Sequence, residues 1–318
     1  MKMVINGVSE PYKELEEKYA KFTKKDFAIS CNSGTSALHL ALLALGVGKG
    51  DEVIIPDFTM GACAFAVSYV GAKVVTVDCD DTLTIDVTKI EEKITKKTKA
   101  IMAVHIYGRI CNMQEIGRIA KKHNLKVIED GCEAQGVPSS KYADLSCYSF
   151  YKNKIIAAEE GGIVCTDNFS YKVKMDFLKN MAFDTGHTYF HSSVGYNYRM
   201  ANSQAIMALE SLKNYPRNEE KRRKIEQWYN NMLPCGRGKR KAVWVYDCEN
   251  TNAKTIAEAV KESRHFFKPI STFPMYKQKA GEKASFYAQV GFYLPCNPAL
   301  DRKEITRICR ETLKNVII

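Results

Sequence analysis

Three short segments of the chain carry residue types that can hold a phosphate, a protonated ring and a carbonyl group. The first, 31–37, reads Cys-Asn-Ser-Gly-Thr-Ser-Ala and lies between a predicted strand and a predicted helix. A turn of small residues that leads into a helix presents free backbone N–H groups and the positive end of the helix dipole, which suits a phosphate. The alternative is that Ser33 and its neighbours only cap the helix. The segment is not a Walker loop, because no Gly-Lys-Ser/Thr follows.

The second and third segments carry acids and lysines. In 127–133, Val-Ile-Glu-Asp-Gly-Cys-Glu, Asp130 ends an apolar strand, where a carboxylate is costly unless a cation such as a protonated heterocycle pairs with it. The alternative for Asp130 is an ordinary helix cap. In 147–162 a strand leads into a polar turn with Lys152 and Lys154, followed by a glycine pair. A desolvated lysine can attack a carbonyl group. The alternative is that both lysines are ordinary solvent-exposed side chains, as most lysines in turns are.

The elements that must position these segments form one predicted sheet. Short apolar strands alternate with helices, which is typical of a mostly parallel sheet covered on both faces. Ligands of such sheets bind at the carboxyl ends of the strands, where the chemistry-bearing segments lie. The seven predicted strands are 27–30, 52–55, 73–78, 100–106, 126–130, 145–150 and 162–166.

After residue 201 the pattern changes to a long charged helical stretch and a few short elements. Pro216 is expected to split that stretch, because proline cannot donate the backbone hydrogen bond of a helix interior. A chain of 318 residues also exceeds what one core usually organises. The sequence therefore predicts a large α/β domain at 1–200 and a smaller α+β domain at 201–318.

The composition excludes several classes of protein. Hydrophobic residues make up 45% of the chain and charged residues 26%, which is typical of globular proteins. No apolar run reaches the length of a membrane span, and residues 1–20 lack the apolar core of a signal peptide, so a cytoplasmic protein without a membrane partner is expected. The eleven cysteines show no zinc spacing, so no bound metal is expected. They are predicted to be reduced thiols, and those expected in the core include Cys63, Cys147, Cys165 and Cys309.

The net charge of +11 allows a nucleic acid or an anionic metabolite as partner. Many of the lysines are scattered along the chain, and no aromatic residues interleave them as in a nucleic-acid groove. The pattern therefore favours a solvated basic surface with an anionic small molecule as the next explanation. No nucleic acid partner is expected.

Taken in order, the segments resemble pyridoxal-phosphate enzymes of the aspartate-aminotransferase fold, fold type I. Within that fold they are similar to the DegT-type sugar-nucleotide aminotransferases. The resemblance implies an α/β chain with a central, mostly parallel seven-stranded sheet, pyridoxal 5′-phosphate and its pyridoxamine form as cofactor, and a homodimer with shared active sites. It extends over nearly the whole chain, and the segments that carry it are 33–56, 129–136, 149–154 with 160–162, 195–200, 266–269 and 291–295.

The resemblance also implies roles for individual residues. Lys154 would hold the cofactor as a Schiff base and move protons, with Lys152 as its nearest rival. Asp130 would pair with the ring nitrogen, and Glu133 would lie near the ring hydroxyl. Met60 stands where most relatives stack an aromatic residue on the ring, and its thioether can still cover the ring face. The phosphate would be held by Gly34, Thr35, Ser149 and, from the neighbouring subunit, Asn197.

The segment 185–200 is similar to the corresponding segment of the perosamine synthases in this family. That similarity implies transamination between L-glutamate and GDP-4-keto-6-deoxymannose, giving GDP-perosamine. A dTDP- or UDP-linked keto sugar is an alternative substrate, and a non-enzymatic regulator on the same fold is an alternative function, although the lysine and aspartate together favour an enzyme. The substrate-side candidates are His187, Tyr189, His191 and Arg199, for which an ordinary loop position is the alternative.

Overall fold

The structure is a computed structural model that describes residues 10–183, 189–238 and 240–316. Its larger part contains a seven-stranded sheet in the order β1-β7-β6-β5-β4-β2-β3. β7 runs antiparallel to β1 and β6, whereas the other neighbouring pairs are parallel. The predicted mostly parallel seven-stranded sheet is confirmed. The strands are β1 (Phe27–Cys31), β2 (Glu52–Pro56), β3 (Lys73–Val77), β4 (Thr98–Val104), β5 (Lys126–Asp130), β6 (Leu145–Ser149) and β7 (Gly162–Thr166).

Helices cover both faces of this sheet. Successive side chains of a strand point to opposite faces, and β2 shows the result: Val53 and Ile55 pack in the cluster that contains α2 and α3, whereas Ile54 packs in the cluster that contains α4. In the described ranges no helix is both apolar enough and long enough to cross a bilayer. The helices of this part are α1 (Pro11–Thr23), α2 (Gly34–Ala44), α3 (Gly61–Tyr69), α4 (Met113–His123) and α5 (Phe169–Lys179).

The C-terminal part contains five further helices and a three-stranded antiparallel sheet among the described residues. Pro216 lies in the first turn of α7, where its missing N–H costs nothing, so the predicted split of the long helical stretch is confirmed. The small sheet has the order β8-β10-β9. Its elements are α6 (Asn202–Lys213), α7 (Tyr215–Met232), β8 (Val245–Glu249), α8 (Ala253–Ala259), β9 (Arg264–His265), α9 (Glu282–Val290), β10 (Gly291–Pro295) and α10 (Arg302–Leu313).

The domain boundary near residue 201 stays a prediction. Helix α6 packs against α1, because Ala205 and Ala208 share a core cluster with Leu15. Helix α7 contributes Ile225 and Tyr229 to a separate core formed with the C-terminal elements. The packing partner of the chain therefore changes between α6 and α7.

A buried charge cluster joins the two sheets. Asp247 on β8 is fully buried, with its Oδ2 2.6 Å from Arg109 Nη1 and its Oδ1 2.8 Å from Arg240 Nη2. Next to it, Gly108 has a φ of 79° and accepts a hydrogen bond from the N–H of Ala242. A Cβ on Gly108 would lie 1.8 Å from the carbonyl oxygen of Ala242. The segment after β4 is thus fixed against the chain that enters β8.

The eleven cysteines, all of which lie in the described ranges, are free thiols. Those predicted to lie in the core, Cys63, Cys147, Cys165 and Cys309, are buried. This part of the cysteine prediction is confirmed.

Candidate active site

A cavity at the carboxyl ends of the parallel strands brings the three chemistry-bearing segments together. Its volume is about 550 Å³, and its walls come from the start of α2, the start of α3, the ends of β5 and β6 and the lysine turn. We call it the cofactor cavity. The predicted cofactor residues that line it are Gly34, Thr35, Met60, Asp130, Glu133, Ser149 and Lys154.

One end of the cofactor cavity is suited to a phosphate. Ser33 caps α2, its Oγ accepting a hydrogen bond of 3.0 Å from the N–H of Ser36. The cap does not consume the first N–H groups of the helix, at Gly34 and Thr35, which have no partner within a helix. A Cβ on Gly34 would lie 2.7 Å from the Cβ of Ser149, so glycine is required for the helix start to approach the serine hydroxyl. A helix N-terminus and a hydroxyl therefore meet at one place.

Asp130 supplies the negative charge of the cavity. It is 5% exposed, and its carboxylate accepts hydrogen bonds from the Cys132 N–H at 3.0 Å and from the Cys63 thiol at 3.3 Å. In the described segment 131–144 no helix begins, so the helix-cap alternative is wrong. No lysine, arginine or histidine of the described residues forms an ion pair with this carboxylate. A buried acid in this state is suited to a cationic ring.

Lys154 lies between an acid and an aromatic face. Its Nζ is 3.9 Å from Glu133 Oε1 and 4.0 Å from the ring centroid of Trp244, a distance at which an ammonium is attracted to the ring face. Its side chain is 12% exposed, whereas Lys152, which also lines the cavity, is an exposed residue. The desolvated position favours Lys154 over Lys152 as the reactive amine.

The C-terminal part holds the lysine turn in place through main-chain carbonyls. Trp244 Nε1 donates a hydrogen bond of 2.8 Å to the carbonyl of Asn153. The buried guanidinium of Arg222, on α7, donates to the carbonyls of Lys154 at 3.3 Å, Trp244 at 3.1 Å and Cys296 at 3.0 Å. Burial lowers the pKa of Arg222 from its ordinary value. Arg222 and Trp244 could not be predicted from the sequence, because contacts with carbonyl oxygens leave no pattern of paired side chains.

Glu133 has an unusual protonation equilibrium. Burial raises the pKa of its carboxyl to about 7, and the Lys154 ammonium opposes that rise. Its Oε2 also accepts a hydrogen bond of 2.9 Å from the N–H of Tyr107. Near neutral pH the carboxyl can therefore donate or accept a proton in a hydrogen bond with a ring hydroxyl.

Met60 precedes α3 and is 55% exposed on the wall of the cavity, where its thioether can cover a ring. The substrate-side candidates Tyr189, His191 and Arg199 do not line this cavity. Tyr189 is 94% exposed, and His191 Nδ1 lies 2.7 Å from the carbonyl oxygen of Met181. Arg199 Nη1 donates a hydrogen bond to the side chain of Asn180. His187 lies outside the described residues.

Asn197 also lies away from the cofactor cavity of its own chain. It is exposed, and its backbone pairs with that of Asn180. Its carbonyl accepts a hydrogen bond of 3.4 Å from the Asn32 side chain. The predicted roles of Asn197, Tyr189, His191 and Arg199 stay predictions, since none of these residues lines this cavity.

The sequence matches the DegT/DnrJ/EryC1/StrS aminotransferase family over residues 4–313. The chain belongs to this family. It is therefore a pyridoxal-phosphate-dependent aminotransferase. The crystal structure of NtdA from Bacillus subtilis with bound cofactor PMP superimposes with a TM-score of 0.88 at 28% identity, covering 96% of this chain and 76% of that one. This similarity confirms the type I aminotransferase fold.

Two curated relatives of the aminotransferase show what it resembles in sequence. GDP-perosamine synthase from Caulobacter vibrioides is 36% identical over 96% of this chain and 90% of its own length. UDP-N-acetyl-3-dehydro-alpha-D-glucosamine 3-aminotransferase from Acidithiobacillus ferrooxidans is 39% identical over 69% of this chain and 61% of its own length. The first similarity spans both parts of the fold, whereas the second covers about two thirds of the chain.

The residues of the aminotransferase fit its cofactor in three respects. The start of α2 and the Ser149 hydroxyl suit a phosphate dianion, and the amine of Lys154 suits an aldehyde. The buried Asp130 carboxylate lacks a cation among the described residues, and a protonated ring nitrogen would supply one.

The first prediction distinguishes the two lysines. Lys154→Ala should abolish the yellow colour of the purified enzyme and its half-reaction with glutamate, because no amine then reaches the cofactor aldehyde. Lys152→Ala should keep both properties and serves as the matched control. Visible absorption spectra and single-turnover reactions with glutamate measure the two effects. A colourless Lys152→Ala protein beside a yellow Lys154→Ala protein would show that the lysine assignment is wrong.

The second prediction concerns the buried carboxylate. Asp130→Asn should still bind the cofactor, since the amide occupies nearly the same volume, but a neutral amide cannot keep the ring nitrogen protonated. We expect the half-reaction with glutamate to slow by at least about a hundredfold. Stopped-flow absorbance measures the rate, and the bound cofactor content is the control. Rates close to those of the wild type would refute the pairing.

The third prediction concerns Glu133 and the stability of the cofactor-free protein. Because the pKa of Glu133 is about 7 in the folded chain and ordinarily 4.5, the folded state keeps a proton that the unfolded chain loses. The stability from the protonated carboxyl is complete below pH 4.5 and is lost as the pH rises through 7. Relative to Glu133→Gln, the wild type should lose up to roughly 3 kcal/mol across this interval. Thermal melting at several pH values tests this, and parallel profiles would contradict it.

Proposed function

We propose that the aminotransferase transfers the amino group of L-glutamate to C4 of GDP-4-keto-6-deoxymannose and so forms GDP-perosamine. The observation that carries the proposal is the similarity to GDP-perosamine synthase, which spans 96% of this chain. The site is compatible with it, because a lysine, a buried carboxylate and a phosphate-binding turn line one cavity. A basic chain of net charge +11 also suits a dianionic nucleotide sugar.

The chemistry that pyridoxal phosphate supplies when bound is that of an electron sink and amino-group carrier. The α2 start and Ser149 hold its phosphate, while Asp130 keeps a proton on the ring nitrogen. Lys154 takes the proton from the α-carbon of glutamate and later delivers a proton to C4 of the sugar. Its half-buried position beside Glu133 and Trp244 keeps the amine over the cavity through both steps.

A panel of 4-keto nucleotide sugars linked to GDP, dTDP or UDP, each incubated with the enzyme and glutamate, tests the substrate. Mass spectrometry of the products, with 2-oxoglutarate as the second readout, measures conversion. We expect the GDP-4-keto-6-deoxymannose reaction to be the fastest. Preferential conversion of a UDP- or dTDP-linked sugar would refute the GDP assignment and favour the alternative substrate with that nucleotide.

We propose further that the enzyme is a homodimer in which Asn197 contacts the cofactor phosphate of the neighbouring subunit. Asn197 is exposed and does not line the cofactor cavity of its own chain, so its amide is available to another chain. A contact with the phosphate of the neighbouring subunit would make each site incomplete without its partner.

The fourth prediction tests this sharing by subunit mixing. Lys154→Ala and Asn197→Asp should each be inactive as homodimers, the second because its carboxylate repels the phosphate dianion. In a heterodimer of the two, one site carries both defects and the other carries neither. Random mixing should therefore restore roughly a quarter of the wild-type activity. No recovery in a mixture whose heterodimers are confirmed by native mass spectrometry would refute the shared site.

A further inference from the structure

A second cavity borders the same lysine turn as the cofactor cavity. Its volume is about 560 Å³, and its walls include the start of α7, the end of α6 and the loop 295–299 after β10. Six of the described residues line both cavities: Lys152, Asn153, Lys154, Trp244, Arg264 and Tyr293. A ligand that reacts at Lys154 would therefore lie next to this second space. We call the second space the basic cavity.

The basic cavity carries an excess of positive charge. Lys152, Lys221 and Arg264 are exposed on its wall, and none of them forms an ion pair with any residue in the described ranges. The acid on the same wall, Glu262, is paired with Arg307, which lies outside the cavity. The unpaired charges thus face the space and are not neutralised by the protein.

Arg222 adds a buried positive charge to this wall. The residue is 5% exposed, and the acceptors of its hydrogen bonds are main-chain carbonyls. No carboxylate of the described residues forms an ion pair with it. Because a charge acts over a longer range in a low-dielectric interior, Arg222 strengthens the field that the exposed cations create.

We propose that the basic cavity binds the diphosphate of the nucleotide-sugar substrate, with Lys221 as a contact that serves this group alone. The inference rests on the proposed function only in requiring a nucleoside-diphosphate sugar, whatever its base. The carbon that reacts, C4, and the carbon that carries the diphosphate, C1, lie at opposite ends of the sugar ring. With C4 at Lys154, the diphosphate must therefore project out of the cofactor cavity.

With the diphosphate in the basic cavity, glutamate and the nucleotide sugar contact partly different residues of the active site. Glutamate is small and reacts within the cofactor cavity, whose lining includes Lys152 and Arg264 but not Lys221. Of the two cavities, Lys221 lines only the basic cavity. A charge at residue 221 should therefore affect the nucleotide sugar and leave glutamate unaffected, which a merely structural role would not produce.

The experiment compares Lys221→Gln with Lys224→Gln. Both residues are exposed on α7, so neither change should disturb folding, and both remove one positive charge. Lys224 does not line the basic cavity and lies 5.8 Å from the Trp228 ring. Calorimetry with the holoenzyme measures the affinities for GDP, UDP and GMP, and steady-state kinetics measures KM for the nucleotide sugar and for glutamate.

Lys221→Gln should weaken GDP and UDP binding alike by about tenfold, as expected for the loss of one charge-assisted contact, and should affect GMP less. The KM for the nucleotide sugar should rise by a similar factor at unchanged kcat and unchanged KM for glutamate, because the contact is the same in ground and transition states. Lys224→Gln should resemble the wild type. Affinities for GDP and UDP that are equal in Lys221→Gln and wild type would overturn the proposal. If a UDP- or dTDP-linked sugar is the true substrate, the KM effect should appear with that sugar, so a wrong base assignment is distinguishable from a wrong subsite.

Discussion

The hydrogen bonds from Arg222 to main-chain carbonyls are the interaction on which the active site depends. One guanidinium connects the carbonyl of Lys154, in the lysine turn of the large sheet, with those of Trp244 and Cys296 in the C-terminal part. Each of these bonds is charge-assisted, which makes it stronger than a neutral pair, and those to Trp244 and Cys296 are buried. The position of the amine therefore depends on the packing of α7 and the small sheet as much as on β6.

Charges of both signs that are unpaired among the described residues lie on the walls of the cofactor cavity and the basic cavity. In the cofactor cavity a buried carboxylate, Asp130, lacks a cation among the described residues, while in the basic cavity Lys221 and Arg264 lack an acid there. Unpaired charges of this kind weaken the fold slightly and favour ligands of the opposite sign. The unpaired carboxylate therefore suits a cationic ring, and the unpaired cations of the basic cavity suit an anionic ligand.

Much of the large sheet could be predicted from the sequence. The bounds of β5 and β7 coincide with the predicted strands, because short apolar runs ended by Asp130 and begun by Gly162 leave little freedom. The alternation of strands and helices predicts a helix between β3 and β4, whereas the stretch 87–94 forms two 3-10 turns, with Asp86 capping the first. Helix α9 and strand β10 were missed, since their apolar residues follow neither helical nor alternating spacing for long enough.

The cofactor side of the candidate site could also be predicted, because Gly34, Asp130 and Lys154 lie in local segments of recognisable chemistry. Arg222 and Trp244 could not, because they reach the lysine turn from sequence positions 68 and 91 residues away and contact its backbone. The basic cavity likewise arises where α7 meets the loop after β10, a juxtaposition that only the tertiary fold creates. Chain segments that are distant in sequence therefore supply the part of the site that faces the substrate.

The close contact between Gly108 and Ala242 has a steric consequence for Lys154. Trp244 stands in the chain between that contact and Asp247, which is paired with two arginines, so its segment is held on both sides, and its ring centroid lies 4.0 Å from Lys154 Nζ. The ring is a fixed wall on one side of the amine. A ligand can therefore approach the amine of Lys154 only from the sides that the indole leaves open.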